Sequence, residues 1–409
     1  MHPDNALPIL RSDVLVVGAG PVGLALAAAM AELGLTVRVL EQQARCAIDH
    51  PQDDGREIAL THRARRVMED LRIWDHLGDS DVAPLREARV LDGDRSDALC
   101  FGPRADAAPL GWLVPNHRIR AAALAAASSS KLVDIQCDAR VIGLSFDPDS
   151  GELALADGRR FRARLVVAAD SRLSQTRRLA GIGASMHDFG RSVIVGRVTT
   201  TSSNDAIAWE CFRYANTLAL LPMNSGRVSV VVTAPGDQVP GWMALSDDDF
   251  AKRIEQQTTG RFGAMREDGP RFVYPLVGVY AHRFSRARFA LIGDAAVGMH
   301  PVTAHGWNFG IYGVNALARR VGQAHRAGLD IGGAELLQSF ADEHRRTTWP
   351  IYRGTNAVAS LFTDERPIAR LARQAVLTLA GRAPLVSRLI KGAIEAQLSG
   401  AAASSRALI

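Results

Sequence analysis

At 409 residues the chain exceeds the usual size of one hydrophobic core, so two packed domains, or one domain carrying a large insertion, are expected. Its 47% hydrophobic, 22% charged and 6% aromatic residues are ordinary globular composition, which excludes a disordered or fibrous chain. The 48 Lys and Arg against 43 Asp and Glu are scattered rather than gathered in a block, which argues against nucleic acid as a partner.

Residues 1–13, "MHPDNALPILRSD", show no basic region followed by an apolar core, and no uninterrupted apolar run reaches the ~18 residues needed to span a bilayer. A soluble or peripheral protein is expected. The first patterned stretch, "DVLVVGAGPVGLALAAAMAELGLTVRVLE", reads as strand, tight turn, alanine-rich helix to about Leu33 and parallel strand, a βαβ unit. A second punctuation follows at "RLVVAADSRLSQTRRLAG", where a strand from Leu165 to Ala168 leads into a turn and a short helix. The runs "SVIVGRVTT", "TLALLPM" and "RVSVVVTAP" have β character, and Asn224-Ser225-Gly226 between the last two is a hairpin signal. They predict an antiparallel sheet inserted in an α/β domain. A third punctuation is "ALIGDAAVGMHPVTAHGWNFG", residues 290–310. After Trp349-Pro350 the chain is expected to turn helical and alanine-rich, with Pro367 and Pro384 as helix starts.

Cys46, Cys100, Cys137 and Cys211 lie far apart without CxxC spacing, so neither a zinc site nor a disulfide framework is indicated. No HxxxH or paired carboxylate has metal-ligand spacing, and no GxSxG elbow offers a nucleophile. No metal is expected, and the setting is expected to be reducing and cytoplasmic.

The Gly18, Gly20, Gly23 trio has a mechanical reading. The first glycine permits the turn, the second lets backbone approach a pyrophosphate, and the third lets helix pack on strand. Glu41 ends the second strand, where an acid accepts both hydroxyls of an adenosine ribose. Together with the flanking strand and helix, the pattern points to dinucleotide binding.

The three separated motifs, with Ala169-Asp170 in the middle bend and Gly293-Asp294 in the last, resemble the class A flavoprotein monooxygenases, the aromatic hydroxylases of p-hydroxybenzoate hydroxylase fold. Within them, "DGREIALTHRARRVMEDLRIW" and "IGDAAVGMHPVTAHGWNFGI" are most similar to the ubiquinone-biosynthesis hydroxylases, in particular the demethoxyubiquinol hydroxylase branch. The resemblance spans roughly residues 12–355. It implies an α/β (α+β) fold: an FAD-binding βαβ domain made of residues 10–80, 112–180 and 288–355, a mostly antiparallel substrate sheet of 81–111 and 181–287, and C-terminal helices over 356–409.

The resemblance further implies that Gly18, Gly20, Gly23 and Glu41 hold the ADP half of FAD and that Arg56 reaches the flavin side. Arg120 would touch the phosphates or ribitol, Val141 the adenine side, Asp294 the ribityl chain or pyrophosphate, and Asp170 would belong to the cofactor site as well. Pro301 would also contact the cofactor, and the turn from Ala304 to Asn308 would lie against the pyrimidine edge of the isoalloxazine, with the helix starting near Gly306 pointing its N–H groups at the flavin N1 and C2 carbonyl. NAD(P)H would reduce the flavin, O2 would add at C4a, and the resulting hydroperoxide would attack an electron-rich phenol or quinol ring, here a polyprenylated quinol. No separate nicotinamide-binding unit is visible.

Departures stand at two motifs. The middle one usually reads Gly-Ala-Asp-Gly-x-x-Ser-x-x-Arg; here Asp170, Ser174 and Arg177 match and both glycines are replaced, by Ala168 and Ser171. In the last, Val297 replaces a usual histidine and His305 the glutamine of Gly-Gln-Gly, while His300-Pro301 is retained.

Other readings stay open. His300 and His305 are candidates for catalytic acid and base, or His300 caps a turn and His305 hydrogen-bonds flavin or backbone. His62 and His117 read as surface or structural residues, and the pairs Arg65-Arg66, Arg177-Arg178 and Arg345-Arg346 as solvated helix faces. Ile368, Leu371, Val376, Leu379, Leu385, Leu389 and Ile394, with Arg370, Arg373, Arg382, Arg388 and Lys391 between them, form a basic amphipathic stretch. It either docks on an anionic membrane surface or a biosynthetic partner, or packs on the protein's own core. Rival functions are a secondary-metabolite hydroxylase, an isoprenoid reductase and a flavin-binding scaffold without activity.

Overall fold

The computed structural model describes residues 8–92, 98–102, 108–212, 216–299 and 305–363. The β-branched run Leu10–Val17 (β1) ends in four buried residues, turns at Gly18 and enters the helix Pro21–Glu32 (α1). Pro21 takes the first helical position, where its missing N–H removes no hydrogen bond. Leu33 caps the helix and Gly34, at φ +82°, turns the chain out of it. Every residue of α1 from Gly23 to Ala31 is buried, because their small and aliphatic side chains let the helix lie close against sheet and neighbouring helices. Val37–Leu40 (β2) returns parallel to β1, completing the expected βαβ unit.

Glu57–Leu60 (β3), Glu87–Asp92 (β4) and the helix Asn116–Ser128 (α2) follow, then Val133–Gln136 (β5), Val141–Phe146 (β6) and Arg160–Ala168 (β7). Strand β5 pairs parallel with β2, and β7 pairs parallel with the other edge of β1. The apolar residues of these strands and of α1 and α2 belong to one continuous core.

After the short helix Gln175–Leu179 (α3) the chain builds a second sheet. Its strands are Ala184–Thr200 (β8), Ile207–Phe212 (β9), Thr217–Pro222 (β10) and Arg227–Pro235 (β11), followed after the helix Asp247–Gln257 (α4) by Phe272–Ala281 (β12). The order is β12-β8-β11-β10-β9-β4, antiparallel except where β9 meets β4. Ser225 and Gly226 both have positive φ, the geometry of the type I′ turn that joins β10 to β11, as the sequence signal predicts. One face of this sheet packs on α4 through Ile194, Leu218, Leu220, Val230, Val232, Trp242 and Phe250, a core of its own.

Phe289–Leu291 (β13) then pairs parallel with β7, returning the chain to the first sheet. The helices His305–Arg326 (α5) and Ala334–Thr363 (α6) complete the described chain. Here the expectation is corrected: α6 begins well before Trp349-Pro350 and runs through Pro350. A proline inside a helix leaves one carbonyl without its intrahelical donor. The preceding turn is held partly by side chains, since the Thr347 and Thr348 hydroxyls donate to the carbonyls of Glu343 and His344, at 3.1 and 2.8 Å. The expected helix starts at Pro367 and Pro384, and the basic amphipathic stretch from Ile368, lie outside the described residues. Among the described residues no helix is long and apolar enough to cross a membrane.

Candidate functional site

Three chain bends meet at the carboxyl ends of β1, β7 and β13. The first, Gly18 to Gly23, shows three different steric situations. Gly18 has φ +105°, and a Cβ there would stand 2.7 Å from the Ala169 carbonyl oxygen. A Cβ on Gly23 would stand 2.0 Å from the Gly18 oxygen. Gly20 is the opposite case, with nothing within 4 Å of the position its Cβ would occupy. No side chain caps the start of α1, and its first turn carries no acid. Unpaired N–H groups therefore face open space beside the one glycine whose missing side chain leaves that space free.

Glu41, at the end of β2, is 9% exposed. Its carboxylate accepts the Ala19 N–H at 2.7 Å and the Gln43 N–H at 2.9 Å, which fixes its direction beside the first bend. The Ala139 N–H donates to the Glu41 carbonyl at 2.8 Å, and Val141 at the start of β6 is buried two residues further on. Arg120 on α2 is half-buried, and no hydrogen bond or ion pair is found for it among the described residues.

The second bend spends its polar groups on itself. Asp170 accepts the Ser174 hydroxyl at 2.5 Å and the Thr176 N–H at 3.0 Å, and Ser174 caps α3 through the Arg177 N–H. Ser171 adopts φ +80°, the conformation that a glycine takes without strain. Arg177 corrects the reading of a solvated face: it is 3% exposed and donates to the carbonyls of Ala295 at 2.9 Å and Arg172 at 3.2 Å. Burial lowers its pKa, against the attraction of Asp170. Arg345 is likewise engaged, donating to the His282 carbonyl at 2.7 Å over the rings of Tyr280 and Phe284.

The third bend is locked to the other two. Val22 of α1 lies against Gly293 and Gly310, where added Cβ atoms would stand 3.2 and 2.4 Å from it. Asp294 is a third exposed, 3.3 Å from the Arg172 guanidinium, and a Cβ on Gly306 would lie 3.8 Å from its Oδ1. The start of α5 thus sits beside Asp294. Asn308 also has a structural task. It is 2% exposed, its side-chain amide donates to the Ala59 carbonyl at 2.8 Å and its Oδ1 accepts the Thr61 N–H at 3.1 Å, so it ties α5 to the end of β3. His300 and Pro301 lie outside the described residues, as does the side chain of His305.

Arg56 stands between the two sheets. It is paired with Asp54 at 2.6 Å and lies over the Tyr274 ring, and the Tyr274 hydroxyl donates to the Asp54 carbonyl at 2.6 Å. Burial works to lower the Arg56 pKa, but Asp54, Tyr274 and Asp294 raise it overall. Sequence reasoning missed the neighbouring cluster. Arg197 of the second sheet binds Asp53 and, at 3.2 Å, Glu57. Burial opposes ionisation of Asp53, yet the Arg197 and Gly55 hydrogen bonds hold its pKa down at about 2. Glu57 is pushed up to about 7 by burial, with Asp53 and Asp54 adding to the effect against Arg197. His62 Nε2 donates to the Pro109 carbonyl, 2.6 Å away, and His117 lies 3.4 Å from Asp53, both structural contacts. Among the described residues no group of side chains is arranged to hold a metal ion. A surface cleft of about 800 Å³ lined by Gly181, Gly183, His282, Arg283 and Arg286 shares no residue with the three bends.

Comparison with known proteins agrees with this geometry. The chain is 42% identical to ubiquinone hydroxylase UbiM of Neisseria meningitidis over 93% of its own length and 84% of the relative's. It is 37% identical to ubiquinone hydroxylase UbiL of Rhodospirillum rubrum over 89% and 84%. It is 24% identical to 3-demethoxyubiquinol 3-hydroxylase of Escherichia coli over 92% and 96%. Among solved structures, PqsL of P. aeruginosa in complex with 2-aminobenzoylacetate shares the fold, with TM-score 0.75 at 21% identity over 89% of this chain and 100% of that one. Residues 11–355 match the family described as FAD binding domain. The chain therefore belongs to the FAD binding domain family.

Proposed function

We propose that the protein is an FAD-dependent monooxygenase that hydroxylates the ring of a polyprenylated quinol or phenol in ubiquinone biosynthesis, with demethoxyubiquinol the first substrate to test. The observation that carries the reading is the open face of Gly20 at the uncapped start of α1, enclosed by two further bends that touch it. The similarity to ubiquinone hydroxylases supports the substrate class.

In this reading the α1 N-terminus and Gly20 receive the pyrophosphate, Gly18 and Gly23 shape the turn, and Glu41 receives the adenosine ribose with Val141 beside the adenine. Arg120 supplies a positive charge to the phosphates and Asp294 receives the ribityl chain. Asp170 acts indirectly, by fixing the second bend. Arg56, held by Asp54 and Tyr274, borders the flavin side. The α5 N-terminus turns its free N–H groups toward the flavin and favours the charge that reduction places there. Bound FAD, reduced by NAD(P)H, supplies the activation of O2. The chain's own task is to hold the substrate ring against the cofactor and to exclude water, with the second sheet as the far wall. The basic stretch beyond residue 367 would bring the protein to a membrane surface where a polyprenyl substrate resides.

The test is direct: FAD-loaded protein, NADH or NADPH and ¹⁸O2 are mixed with a demethoxyubiquinol of short prenyl chain. Gain of one labelled oxygen in the product is expected. Consumption of the reductant with only peroxide released, for every quinol and phenol tried, overturns the reading.

A further inference from the structure

The second sheet presents two unlike faces. Behind β9, β10 and β11 the side chains of Trp209, Cys211, Leu218, Leu220, Val230 and Val232 are fully buried in the core beneath α4. On the opposite face Glu210, Ala219, Leu221 and Val231 are only half-buried. Residues paired across strands share a face. One such row runs Val90, Glu210, Ala219, Val231, Val195 and Phe272. Its far end meets the Arg56 segment, because a Cβ on Gly55 would stand 2.6 Å from the Phe272 ring and 3.4 Å from Val195. Three strand spacings of about 4.8 Å separate Glu210 from Val195, so this residue sits about 14 Å along the apolar row from that contact.

A carboxyl in the middle of the apolar run "IAWECF" has no structural use that the fold reveals. Among the described residues nothing donates to it or pairs with it. The facing Val90 and Ala219 and the flanking Ala88, Ala208, Phe212, Thr217 and Leu221 carry no titratable group, and the nearest acid in register on this face is Asp92, which pairs with Phe212 at the end of β4. Burial alone pushes its pKa up to about 8. Isolated, half-accessible ionisable groups in apolar walls are where substrate-directed chemistry is found.

Resting on the proposed hydroxylation, we propose that Glu210 is a catalytic residue that accepts the hydrogen bond of a substrate ring hydroxyl, orients the ring against this face of the sheet and takes up that proton. The substrate O–H bond breaks, the proton joins a Glu210 carboxylate oxygen, and the electron pair left behind delocalises into the ring and makes its ortho and para carbons more nucleophilic. When the newly hydroxylated carbon loses its hydrogen as a proton to water and aromaticity returns, Glu210 gives its own proton back to the ring oxygen it came from. Oxygen and reductant are those of the hydroxylation itself.

The test compares the FAD-loaded wild type with Glu210→Gln, Glu210→Asp and Glu210→Leu. Hydroxylation by the wild type should rise with pH between 6 and 9.5 as the carboxylate forms. In E210Q the rise should vanish and kcat fall at least 100-fold, with E210D recovering part of it. Binding of 2-methoxyphenol, read from the flavin absorbance, should change less than threefold in E210Q, whose amide oxygen still accepts a hydrogen bond, and weaken at least tenfold in E210L. A flat profile in the wild type, a profile unchanged in E210Q at any rate, or equal 2-methoxyphenol affinity in all four proteins overturns the assignment. If the wild type hydroxylates no quinol or phenol at all, the proposed function fails and this assignment falls with it; an unchanged E210Q in a wild type that does hydroxylate sinks the assignment alone.

Discussion

The first and second bends look alike in sequence, each a strand ending in small residues before a helix, yet they treat their polar groups in opposite ways. Gly18 to Gly23 leaves its helix start uncapped and one glycine facing open space. Asp170 to Arg177 satisfies most of its own polar groups, with carboxylate, hydroxyl and the guanidinium Nη1 bound to backbone or to one another, while Arg177 Nε is buried with no partner among the described residues. The contrast separates a bend built to receive a ligand from one built to brace it. Unpaired donors at an exposed helix end mark the first kind, and a buried arginine reaching a neighbouring loop marks the second.

The largest effect expected is that of Gly23→Ala. Its methyl would overlap the Gly18 carbonyl, so the turn must open; we expect a loss of about 4 kcal/mol or more, seen as insoluble protein or a collapsed denaturation midpoint. Arg177→Met comes next. It abandons the Ala295 and Arg172 carbonyls in a buried place and should lower stability by about 3 kcal/mol in urea unfolding, while FAD affinity of the folded fraction changes little. Were Arg177→Met instead to abolish FAD binding with stability intact, the bracing role would be wrong. Gly20→Ala reverses the pattern. Its methyl meets no protein atom and its φ of −65° suits alanine, so the melting temperature of the cofactor-free protein should hold. FAD affinity by fluorescence titration should fall at least tenfold, about 1.4 kcal/mol. The smallest change is Ser171→Gly, which relieves a left-handed backbone at the cost of unfolded-state entropy and should raise stability by about 0.5–1 kcal/mol.

How much was legible beforehand follows from the range of the interactions. The βαβ unit, the β10-β11 hairpin and the three bends rest on local signals: β-branched runs, glycine turns and a helix opened by proline. Gly20 and Gly23 could be told apart in role because the mechanics of such a turn are local. Arg177 was misjudged because its partner Ala295 is remote in the chain, and the ties of Asn308 to Ala59 and Thr61 went unseen for the same reason, since no periodicity encodes a contact of that kind. The helix through Pro350 was dated too late because a proline reads as a boundary, while the threonine hydroxyls before it bond back along the helix. Glu210 did leave a mark, a lone acid in an alternating apolar strand, but its significance depends on which face of the sheet stays uncovered.

Val22 has one more consequence. Its two methyl groups sit against Gly293 and Gly310, so the last of the three bends has nowhere to settle until α1 is already in place. During synthesis the amino-terminal turn leaves the ribosome long before residue 310, and it must wait for the final third of the polypeptide. A nascent chain cut short of that point would own an uncapped helix end without the other bends around it, and under the proposed function cofactor capture becomes a late event in the protein's making.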